Sequence, residues 1–429
     1  MLLLLSSSSV SAFQSLRAPT TRRCLLRRQI VSTKLMMCPA QQQLTTLTRT
    51  NNRIIRNVST ITTTTLSSHA DDDNNSSESE NNFTYTTLDD DSIDSSSSSF
   101  TTSRNLQHTL HIIEYAAYTA GQIAFNTAGQ IAIKSTKANL RDLVTESDVK
   151  CQQLIRDIIR KEFPNDLFLG EEDVDLSLDS SVGASRDALE KVLLSGGTSS
   201  SSGSNDSKGT EEERLLFIVD PIDGTTNFQA GLPFYAVSIG VVLLPSSSSS
   251  SSSSLPEVVA GVIYNPTLGE MTSAVKGRGC YLNNRRLNPP QKQHLPPRTS
   301  ILNQSLINVG FPISKESTLR ASSKAVSALA TKVRGLRMIA CASQAMAWVA
   351  QSKFNAYFSW DLNGWDVAAG IVIVEESGGL VSNMLDGGSR ADVGCRDMII
   401  TCPCERRGEE GLLRDELIEV LKENDCFEY

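Results

Sequence analysis

The segment Asp220-Pro221-Ile222-Asp223-Gly224-Thr225-Thr226-Asn227-Phe228 follows an apolar run, Leu215–Val219, that is typical of a buried β-strand. Pro221 restricts the backbone between the two aspartates, and Gly224 permits an unusual backbone angle directly after them. Two carboxylates directed toward one point repel each other unless a cation lies between them. Carboxylate and carbonyl oxygens are the ligands that Mg²⁺ prefers, usually together with phosphate oxygens. The segment therefore predicts a magnesium site at the end of a strand.

The residues after the second aspartate predict a place for an anion. Gly224, Thr225 and Thr226 precede Asn227 and are typical of a turn that leads into a helix. Backbone N–H groups and the helix dipole attract an anion at the start of a helix. We therefore expect the metal site and the phosphate site to be adjacent.

Acidic residues also flank apolar runs elsewhere in the chain. Gly170-Glu171-Glu172-Asp173 follows Leu167–Leu169, Trp365-Asp366-Val367-Ala368-Ala369-Gly370 opens an apolar stretch, and Asp142–Asp148 precedes a predicted helix. A single acid at a strand end or helix start usually lies in solvent or caps the helix. Each of these segments alone is therefore weak evidence for a metal site. Their combination with Asp220–Phe228 indicates such a site more strongly.

Taken together, Asp220–Phe228, the segment that begins at Gly170 and the segment that begins at Trp365 resemble the inositol monophosphatase family. They occur in the order that the family has, and they span most of residues 106–404. The resemblance implies an α/β fold of alternating helix and sheet layers, as in sugar phosphatases. It also implies a magnesium-dependent phosphomonoesterase whose site holds two or three Mg²⁺ ions.

The resemblance assigns the metal ligands residue by residue. Glu171, Asp220 and the backbone carbonyl of Ile222 match the positions that hold the first ion. Asp220, Asp223 and Asp366 match those of the second ion. Glu171 also matches a contact to a third ion in the family members that hold one.

The resemblance further implies how the reaction proceeds. Asp148 and Thr225 match the pair that orients the attacking water, and Glu171 is a further catalytic residue. Glu172 matches a neighbour that supports a metal ligand. Metal ions roughly 3.5 to 4 Å apart lower the pKa of the attacking water and stabilise the departing alkoxide. We therefore expect an in-line displacement that requires no covalent phosphoenzyme.

The phosphate and substrate contacts that the resemblance implies come from two turns. The matching residues are Ile222, Asp223, Gly224 and Thr225 in the first turn, and Ala340, Cys341 and Ala342 in the second. Many inositol-specific relatives have a glutamate that binds ring hydroxyls six residues before the tryptophan, where this chain has Ser359. In an extended stretch Asp361 would face the same side and could replace that glutamate. A loop carboxylate in water is an equally good interpretation of Asp361.

Several functions are compatible with these residues. The first choice is hydrolysis of myo-inositol monophosphate, with histidinol phosphate and galactose 1-phosphate as alternatives on the same mechanism. Fructose bisphosphate and a 3′-phosphoadenosine nucleotide are further candidates. A catalytically silent binding or assembly protein would have lost at least one of the matching acids, and all are present. A metal-dependent kinase or nucleotide-binding enzyme would need a phosphate loop of the Gly-x-x-x-x-Gly-Lys-Ser/Thr kind, and the chain has none. Relatives are commonly homodimers, which we expect here.

Composition excludes some other classes of protein. The net charge is −8, which gives no indication of nucleic-acid binding. No apolar stretch approaches the roughly 20 residues that a membrane-spanning helix needs, so no membrane association is expected. The nine cysteines include no CxxC pair, which favours reduced thiols over disulfides or a zinc site.

The N-terminal residues resemble a targeting leader. Residues 1–70 contain no Asp or Glu and are rich in Arg, Ser and Thr, which is typical of a transit peptide. Leu2–Leu5 and Val10–Phe13 resemble a short secretory segment that precedes it. This order resembles the bipartite leaders of plastid proteins, and a mitochondrial presequence is the alternative. Residues 71–103 predict a disordered acidic linker, and we expect the catalytic domain over 104–429.

Hydrophobic periodicity predicts helices and strands in mixed order after residue 105. Helices are predicted from about 106 and over 147–163, 366–376 and 407–422, and strands over 167–169, 215–219, 235–244, 258–264, 300–309, 335–339, 355–358, 379–384 and 397–401. Ser-rich tracts at 195–209 and 246–254 predict surface loops, and the second should join a hairpin. The order lacks a strict βαβ rhythm, which indicates layered sheets and helices.

Overall fold

The structure, a computed structural model, describes residues 102, 104–130, 133–136, 143–174, 187–192, 213–244, 257–288, 300–312, 315–404 and 408–428. The expected leader lies outside these residues, and so does the expected linker, of which only Thr102 is described. Asp142 and both Ser-rich tracts also lie outside the described residues. Within the part of the chain that is described, no helix is both long enough and apolar enough to span a membrane.

The fold contains seven named helices and fourteen strands among the described residues, and we number each kind in chain order. The helices are α1 Leu106–Thr127, α2 Glu146–Glu162, α3 Thr225–Gln229, α4 Glu316–Leu329, α5 Ala342–Ala350, α6 Gly364–Ser377 and α7 Glu409–Glu423. The strands are β1 Ile133–Thr136, β2 Leu143–Thr145, β3 Leu167–Gly170, β4 Arg214–Asp223, β5 Ala236–Leu244, β6 Glu257–Asn265, β7 Glu270–Val275, β8 Gly279–Leu282, β9 Arg285–Arg286, β10 Leu306–Val309, β11 Gly335–Arg337, β12 Ala356–Ser359, β13 Leu380–Asn383 and β14 Met398–Thr401.

A seven-stranded sheet forms the first half of the fold, in the order β3-β4-β5-β6-β7-β8-β9. Strands β3 and β4 are parallel, and the other neighbours are antiparallel. Apart from Arg214, every residue of β4 is buried, because helices cover both faces of the sheet. Helices α1 and α2 pack on one face, and α5 and α6 pack on the other. Covered sheets carry continuous apolar strands of this kind.

A five-stranded mixed sheet forms the second half, in the order β11-β10-β12-β14-β13. Strand β10 is parallel to both β11 and β12, and β14 is antiparallel to β12 and β13. Tyr357 of β12 faces the core that contains α5 and α6, whereas Phe358 faces the core that contains α4 and α7. The architecture is therefore helix, sheet, helix, sheet, helix, which confirms the predicted layered α/β class.

Small residues allow α6 to approach the seven-stranded sheet closely. A Cβ atom added to Gly240 of β5 would lie 2.4 Å from the Cβ of Ala368, and one added to Gly261 of β6 would lie 2.8 Å from the Cα of Ala369. The Trp365–Gly370 segment is thus a packing surface as well as an acidic segment. This packing brings the first turn of α6, which carries Asp366, beside the sheet that carries Asp220.

Most predicted elements are confirmed, with boundary shifts of up to four residues, and the described strands β5 and β6 are antiparallel neighbours. The strand predicted over 300–309 was wrong in its first half, where a 3₁₀ turn covers Leu302–Gln304 and only Leu306–Val309 is extended. Helix α4 was not predicted. Its buried face consists largely of small or polar residues, which include Ala321, Ser322 and Ala325 beside the apolar Leu329. Helix α5 and the strands β1, β2 and β7 to β9 were also missing from the predicted ranges.

Candidate active site

Three carboxylates meet where the two sheets approach α6. Asp220 and Asp223 belong to the end of β4, and Asp366 belongs to the first turn of α6. Each offers one oxygen, and these three oxygens lie within 4.8 Å of one another. Three acids this close repel each other unless a cation neutralises them. Hard carboxylate oxygens in such a group fit a divalent cation such as Mg²⁺.

An irregularity in β4 directs its two aspartates. Asp220 pairs with Ser238 and Asp223 pairs with Ala236, so three residue steps on β4 oppose two on β5. Such bulges redirect side chains at the end of a strand. The backbone N–H of Ile222 donates to the Asp220 carboxylate at 3.0 Å, which fixes the first acid within the bulge.

Gly224 and Asn227 fix the turn that follows. Gly224 has a φ of +87°, and an added Cβ would lie 2.7 Å from the carbonyl oxygen of Phe234. The side-chain amide of Asn227 donates to the carbonyls of Phe234 and Ile339, both at 2.8 Å. The turn from β4 into α3 is therefore tied to the segment that leads into α5. In the Gly-Thr-Thr-Asn motif, Gly224 therefore allows the left-handed backbone of the turn, and Asn227 supplies the hydrogen bonds that hold it.

The second aspartate receives a dense set of hydrogen bonds. Its Oδ2 accepts from the backbone N–H and the hydroxyl of Ser343, both at 2.6 Å, and from the Cys341 thiol at 3.2 Å. Burial raises the pKa of the Asp223 carboxyl, and the charge of Glu171 adds to the rise, while the Ser343 hydrogen bonds oppose it. Burial also raises the pKa of the Cys341 thiol well above its usual value. Cys341 is therefore a neutral donor to Asp223.

Asp148 and Thr225 lie together, as the resemblance implied. The Thr225 hydroxyl is 3.5 Å from Asp148 Oδ1 and 3.1 Å from the carbonyl oxygen of Ile222, so its single proton has two acceptors. Asp148 is 1% exposed, and its other oxygen accepts from the Thr145 backbone N–H at 2.9 Å and from the Thr145 hydroxyl. Thr145 and Asp148 form a capping box at the start of α2, which holds the carboxylate in one orientation.

A second capping box holds Asp366. The backbone N–H of Asn363 donates to Asp366 Oδ2 at 2.7 Å, at the start of α6. The Ser238 hydroxyl of β5 donates to the carbonyl of Trp365 at 3.3 Å. The helix start is therefore anchored to the same pair of strands that carries Asp220.

Glu171 and Glu172 lie in a 3₁₀ turn at the end of β3. The Gln152 side chain of α2 accepts from the Glu172 backbone N–H at 2.9 Å and donates to Asp173 at 3.2 Å. Glu171 is outside the group of three acids, although its charge acts on Asp223. Its assignment as a metal ligand stays a prediction.

The expected substrate-side residues have diverse surroundings. Ala340 is exposed with a φ of +51°, and Ala342 begins α5. Ser359 is 3% exposed, and its hydroxyl donates to the carbonyl of Trp360 at 3.0 Å. The extended stretch that would place Asp361 on the side of Ser359 is not formed, because Asp361 has a φ of +59°. The alternative of a loop carboxylate in water was wrong, because the side chain is only 3% exposed. Its carboxylate contacts Arg396 and lies 3.5 Å from Lys315.

Four supporting residues had not been given a role from the sequence, although Asn227 had been named as part of the turn motif. They are Thr145, Gln152, Asn227 and Ser343. Thr145 was detectable, because Thr-x-x-Asp ahead of a helix is a capping pattern. Ser343 contacts a residue 120 positions away, so no local pattern indicates it.

Comparison with known proteins identifies the chain. The model of the inositol monophosphatase family matches residues 105–415. An inositol-1-monophosphatase of Caulobacter vibrioides is 29% identical over 274 residues, covering 64% of this chain and 88% of the relative. The Nus factor SuhB of Haemophilus influenzae is 30% identical over 281 residues, covering 65% and 86%. A crystal structure of the extragenic suppressor protein suhB from Bartonella henselae has a TM-score of 0.53 at 26% identity, covering 73% of this chain and 98% of that chain.

The layered fold and these similarities define the class as phosphoric monoester hydrolases. The chain belongs to the inositol monophosphatase family.

Proposed function

We propose that this chain hydrolyses a small phosphate monoester with the help of Mg²⁺, and that myo-inositol monophosphate is its first-choice substrate. The observation that carries the proposal is the group formed by Asp220, Asp223 and Asp366, whose carboxylate oxygens lie within 4.8 Å of one another. The buried Asp148 and the half-buried Thr225 lie together beside the same turn. The name of the Caulobacter relative supports the choice of an inositol monophosphate.

The three aspartates would hold the metal, with Glu171 and the carbonyl of Ile222 as further ligands. Bound Mg²⁺ supplies a Lewis acid for the phosphoryl oxygens and lowers the pKa of the attacking water. Two or three ions are proposed, in line with the resemblance of these residues to the family. Glu172 lies next to Glu171 and supports its turn through the bond from its backbone N–H to Gln152.

Asp148 and Thr225 orient the attacking water and accept its proton. Asp148 is suited to this role because Thr145 occupies its Oδ2, which leaves Oδ1 directed toward the Thr225 hydroxyl. The Thr225 hydroxyl then takes its second hydrogen bond from the water while its own proton is shared with Asp148. The phosphate binds at the start of α3, where the backbone of Gly224 and Thr225 turns into the helix.

The alcohol side of the substrate is less closely specified by these residues. Ser359 donates to the neighbouring carbonyl, and the Asp361 carboxylate is engaged by two cations, so neither replaces a glutamate that binds ring hydroxyls. Ala340, Cys341 and Ala342 present a backbone turn on that side. Histidinol phosphate and galactose 1-phosphate are therefore the alternative substrates on the same mechanism.

The test is phosphate release by the purified chain from a panel of inositol 1-phosphate, histidinol phosphate, galactose 1-phosphate and a 3′-phosphoadenosine nucleotide. Each substrate is assayed with Mg²⁺, with a chelator, and after Mg²⁺ is restored. Release that requires Mg²⁺ and is fastest for inositol 1-phosphate supports the proposal. Mg²⁺-dependent release that is fastest for another member of the panel would keep the proposed mechanism and identify a different substrate. No release from any member would favour a silent binding or assembly protein.

We also propose that residues 1–70 direct the chain to a plastid, with a mitochondrion as the alternative, and that 71–103 link this leader to a catalytic domain over 104–429. The support is the acid-free, Arg-rich composition of the leader. A fluorescent fusion to residues 1–103 would colocalise with plastid pigment if the proposal holds. A homodimer is proposed as well, and light scattering on the purified chain measures its mass.

A further inference from the structure

We propose that Asp361, clamped between Arg396 and Lys315, is a positioning residue that fixes the β12–α6 connection and thereby holds Asp366 in the metal site. This inference rests on the proposed function, because it assigns a role toward the Mg²⁺ that the three aspartates would bind. It also replaces the interpretation of Asp361 as a ligand for substrate hydroxyls.

The clamp joins three separate parts of the second sheet. Asp361 lies in the connection between β12 and α6, Arg396 lies just before β14, and Lys315 directly precedes α4. The carboxylate contacts the Arg396 guanidinium and lies 3.5 Å from the Lys315 ammonium. Its side chain is only 3% exposed, whereas Arg396 and Lys315 are 19% and 36% exposed. A buried carboxylate with two cationic partners is costly to leave unpaired, so the connection is held in one position.

Backbone bonds extend this clamp to the metal site. The N–H of Leu362 donates to the carbonyl of Arg396 at 2.9 Å, and the N–H of Asp361 donates to the Asp397 carboxylate at 3.2 Å. The N–H of Asn363, two residues after Asp361, donates to Asp366 at 2.7 Å. Every step from the clamp to the metal acid is therefore a short contact along one connection.

The backbone of Asp361 shows why the side-chain clamp matters. Its φ of +59° is a left-handed conformation that a residue with a side chain rarely adopts. Such conformations persist where surrounding contacts determine them. The two ion pairs and the Asp397 hydrogen bond supply those contacts. Without the carboxylate, the connection could relax and change the orientation of Asp366.

The chain offers a closely matched control for this clamp. Asp166 also has a side chain that is 3% exposed, and its partner Arg104 is 23% exposed, close to the 19% of Arg396. Asp166 directly precedes β3, whose four residues place it about 13 Å from Gly170, the residue before Glu171. Its Oδ1 also accepts from the backbone N–H of Leu215 at 2.9 Å, a bond that an asparagine can keep. The Asp166→Asn variant removes a buried ion pair of the same kind without touching the β12–α6 connection.

The experiment compares Mg²⁺ binding by the full chain, Asp361→Asn and Asp166→Asn, using calorimetry and the Mg²⁺-dependent rise in the unfolding temperature. We expect Asp361→Asn to weaken Mg²⁺ binding about 10-fold or more, as is usual for partners that support metal ligands. The Mg²⁺ concentration that gives half-maximal phosphate release should rise by a similar factor, while KM at saturating Mg²⁺ stays unchanged. Asp166→Asn should unfold at a lower temperature and bind Mg²⁺ like the wild type.

Equal Mg²⁺ affinity in the wild type, Asp361→Asn and Asp166→Asn would overturn the positioning role. A raised KM at saturating Mg²⁺ with unchanged Mg²⁺ affinity would also overturn it and return Asp361 to the substrate pocket. If Asp361→Asn does not fold, Lys315→Ala is tested in its place, and we expect a smaller loss of Mg²⁺ affinity. An unchanged Mg²⁺ affinity in Lys315→Ala would contradict the positioning role. A wild-type chain that binds no Mg²⁺ would refute the proposed function together with this inference.

Discussion

The three clustered acids lie at two connections of the fold, and the two connections position them in different ways. The connection from β4 to α3 carries Asp220, Asp223, Gly224 and Thr225 within six residues, so one short segment supplies both the acids and the turn. The connection from β12 to α6 carries Asp366 alone among the three clustered acids. Its position depends on small residues in β5 and β6 and on ion pairs from Lys315 and Arg396.

The contrast separates local chemistry from long-range positioning. In the first connection, substitution of one residue should act directly on catalysis. In the second, residues far from the chemistry in sequence should act on the same site by moving one helix. The predictions below test each side of this contrast.

The largest effect is expected for Asp220→Asn in the first connection. Asp220 belongs to the three-acid group, so its loss should reduce phosphate release about 10³-fold or more, since a catalytic metal contributes several kcal/mol of transition-state stabilisation. Removing one of three neighbouring negative charges should leave the unfolding temperature without Mg²⁺ equal to or above that of the wild type.

The control for this variant is Asp386→Asn, which changes an exposed loop acid after β13. Phosphate release and calorimetric unfolding are measured for both variants at several Mg²⁺ concentrations. Substantial activity in Asp220→Asn at any Mg²⁺ concentration would remove Asp220 from the metal site.

The next largest effect is expected for Thr225→Val, which keeps the shape of the side chain but removes its hydroxyl. Because this hydroxyl lies 3.5 Å from Asp148, its loss should lower kcat about 100-fold, a usual size for a positioned proton-transfer group. Thr225→Ser keeps the hydroxyl and should retain most of the activity. Equal kcat values for the two variants would show that the hydroxyl plays no part in orienting the water.

Gly240→Ala tests the second connection through packing alone. The added methyl group would lie 2.4 Å from the Cβ of Ala368, so α6 must shift away from the sheet. We expect a loss of about 1 to 3 kcal/mol in the free energy of unfolding and a weaker response to Mg²⁺, since Asp366 moves with the helix. Denaturant unfolding and the Mg²⁺ dependence of phosphate release measure the two effects.

The matched control is Gly411→Ala in α7, where the nearest neighbour of an added Cβ is the Arg414 guanidinium at 4.0 Å. This position has room, and alanine favours a helix over glycine by roughly 1 kcal/mol, so stability should rise. If Gly240→Ala loses stability but responds normally to Mg²⁺, then α6 packing does not control the position of Asp366.

Sequence reasoning worked where the chemistry is local. In the first connection, the strand end and the turn after it were predicted correctly, because the residues that form them are adjacent in the chain. The roles of these residues toward metal and phosphate stay predictions. The layered fold class was also predicted, from the family resemblance and from an order of helices and strands that lacks a strict βαβ rhythm. The structure adds that the apolar strands β4, β5 and β6 are covered on both faces.

Sequence reasoning was limited where a residue depends on a distant partner. Nothing near Asp361 in the sequence indicates its partner Arg396, which lies 35 residues away. Neither this ion pair nor the left-handed backbone of Asp361 was therefore predicted. The hydrogen bond from Ser343 to Asp223 likewise depends on the approach of α5 to β4. Helix α4 was missed because small and polar residues such as Ala321, Ser322 and Ala325 form much of its buried face, so few large apolar residues mark it.

The smallest effect is expected for a half-buried acid away from both connections. Glu114 of α1 accepts a hydrogen bond from the Ser273 hydroxyl of β7 at 2.6 Å, and burial raises the pKa of its carboxyl above the usual 4.5, with the Ser273 bond opposing the rise. Its folded-state pKa therefore exceeds its unfolded-state pKa. Its contribution to stability is fully present below the unfolded pKa and is lost as the pH rises through the raised folded pKa.

Glu114→Gln should therefore increase the free energy of unfolding at neutral pH, remove part of this pH dependence and leave phosphate release unchanged. The control is Glu316→Gln, because Arg320 lowers the pKa of Glu316 and gives it the opposite sign. Denaturant unfolding from about pH 4 to 8 compares both variants with the wild type. A Glu114→Gln variant that loses stability at neutral pH would show that the ionised carboxylate is stabilised in place. The hydrogen bond from Ser273 would then outweigh the cost of partly burying the charge of Glu114.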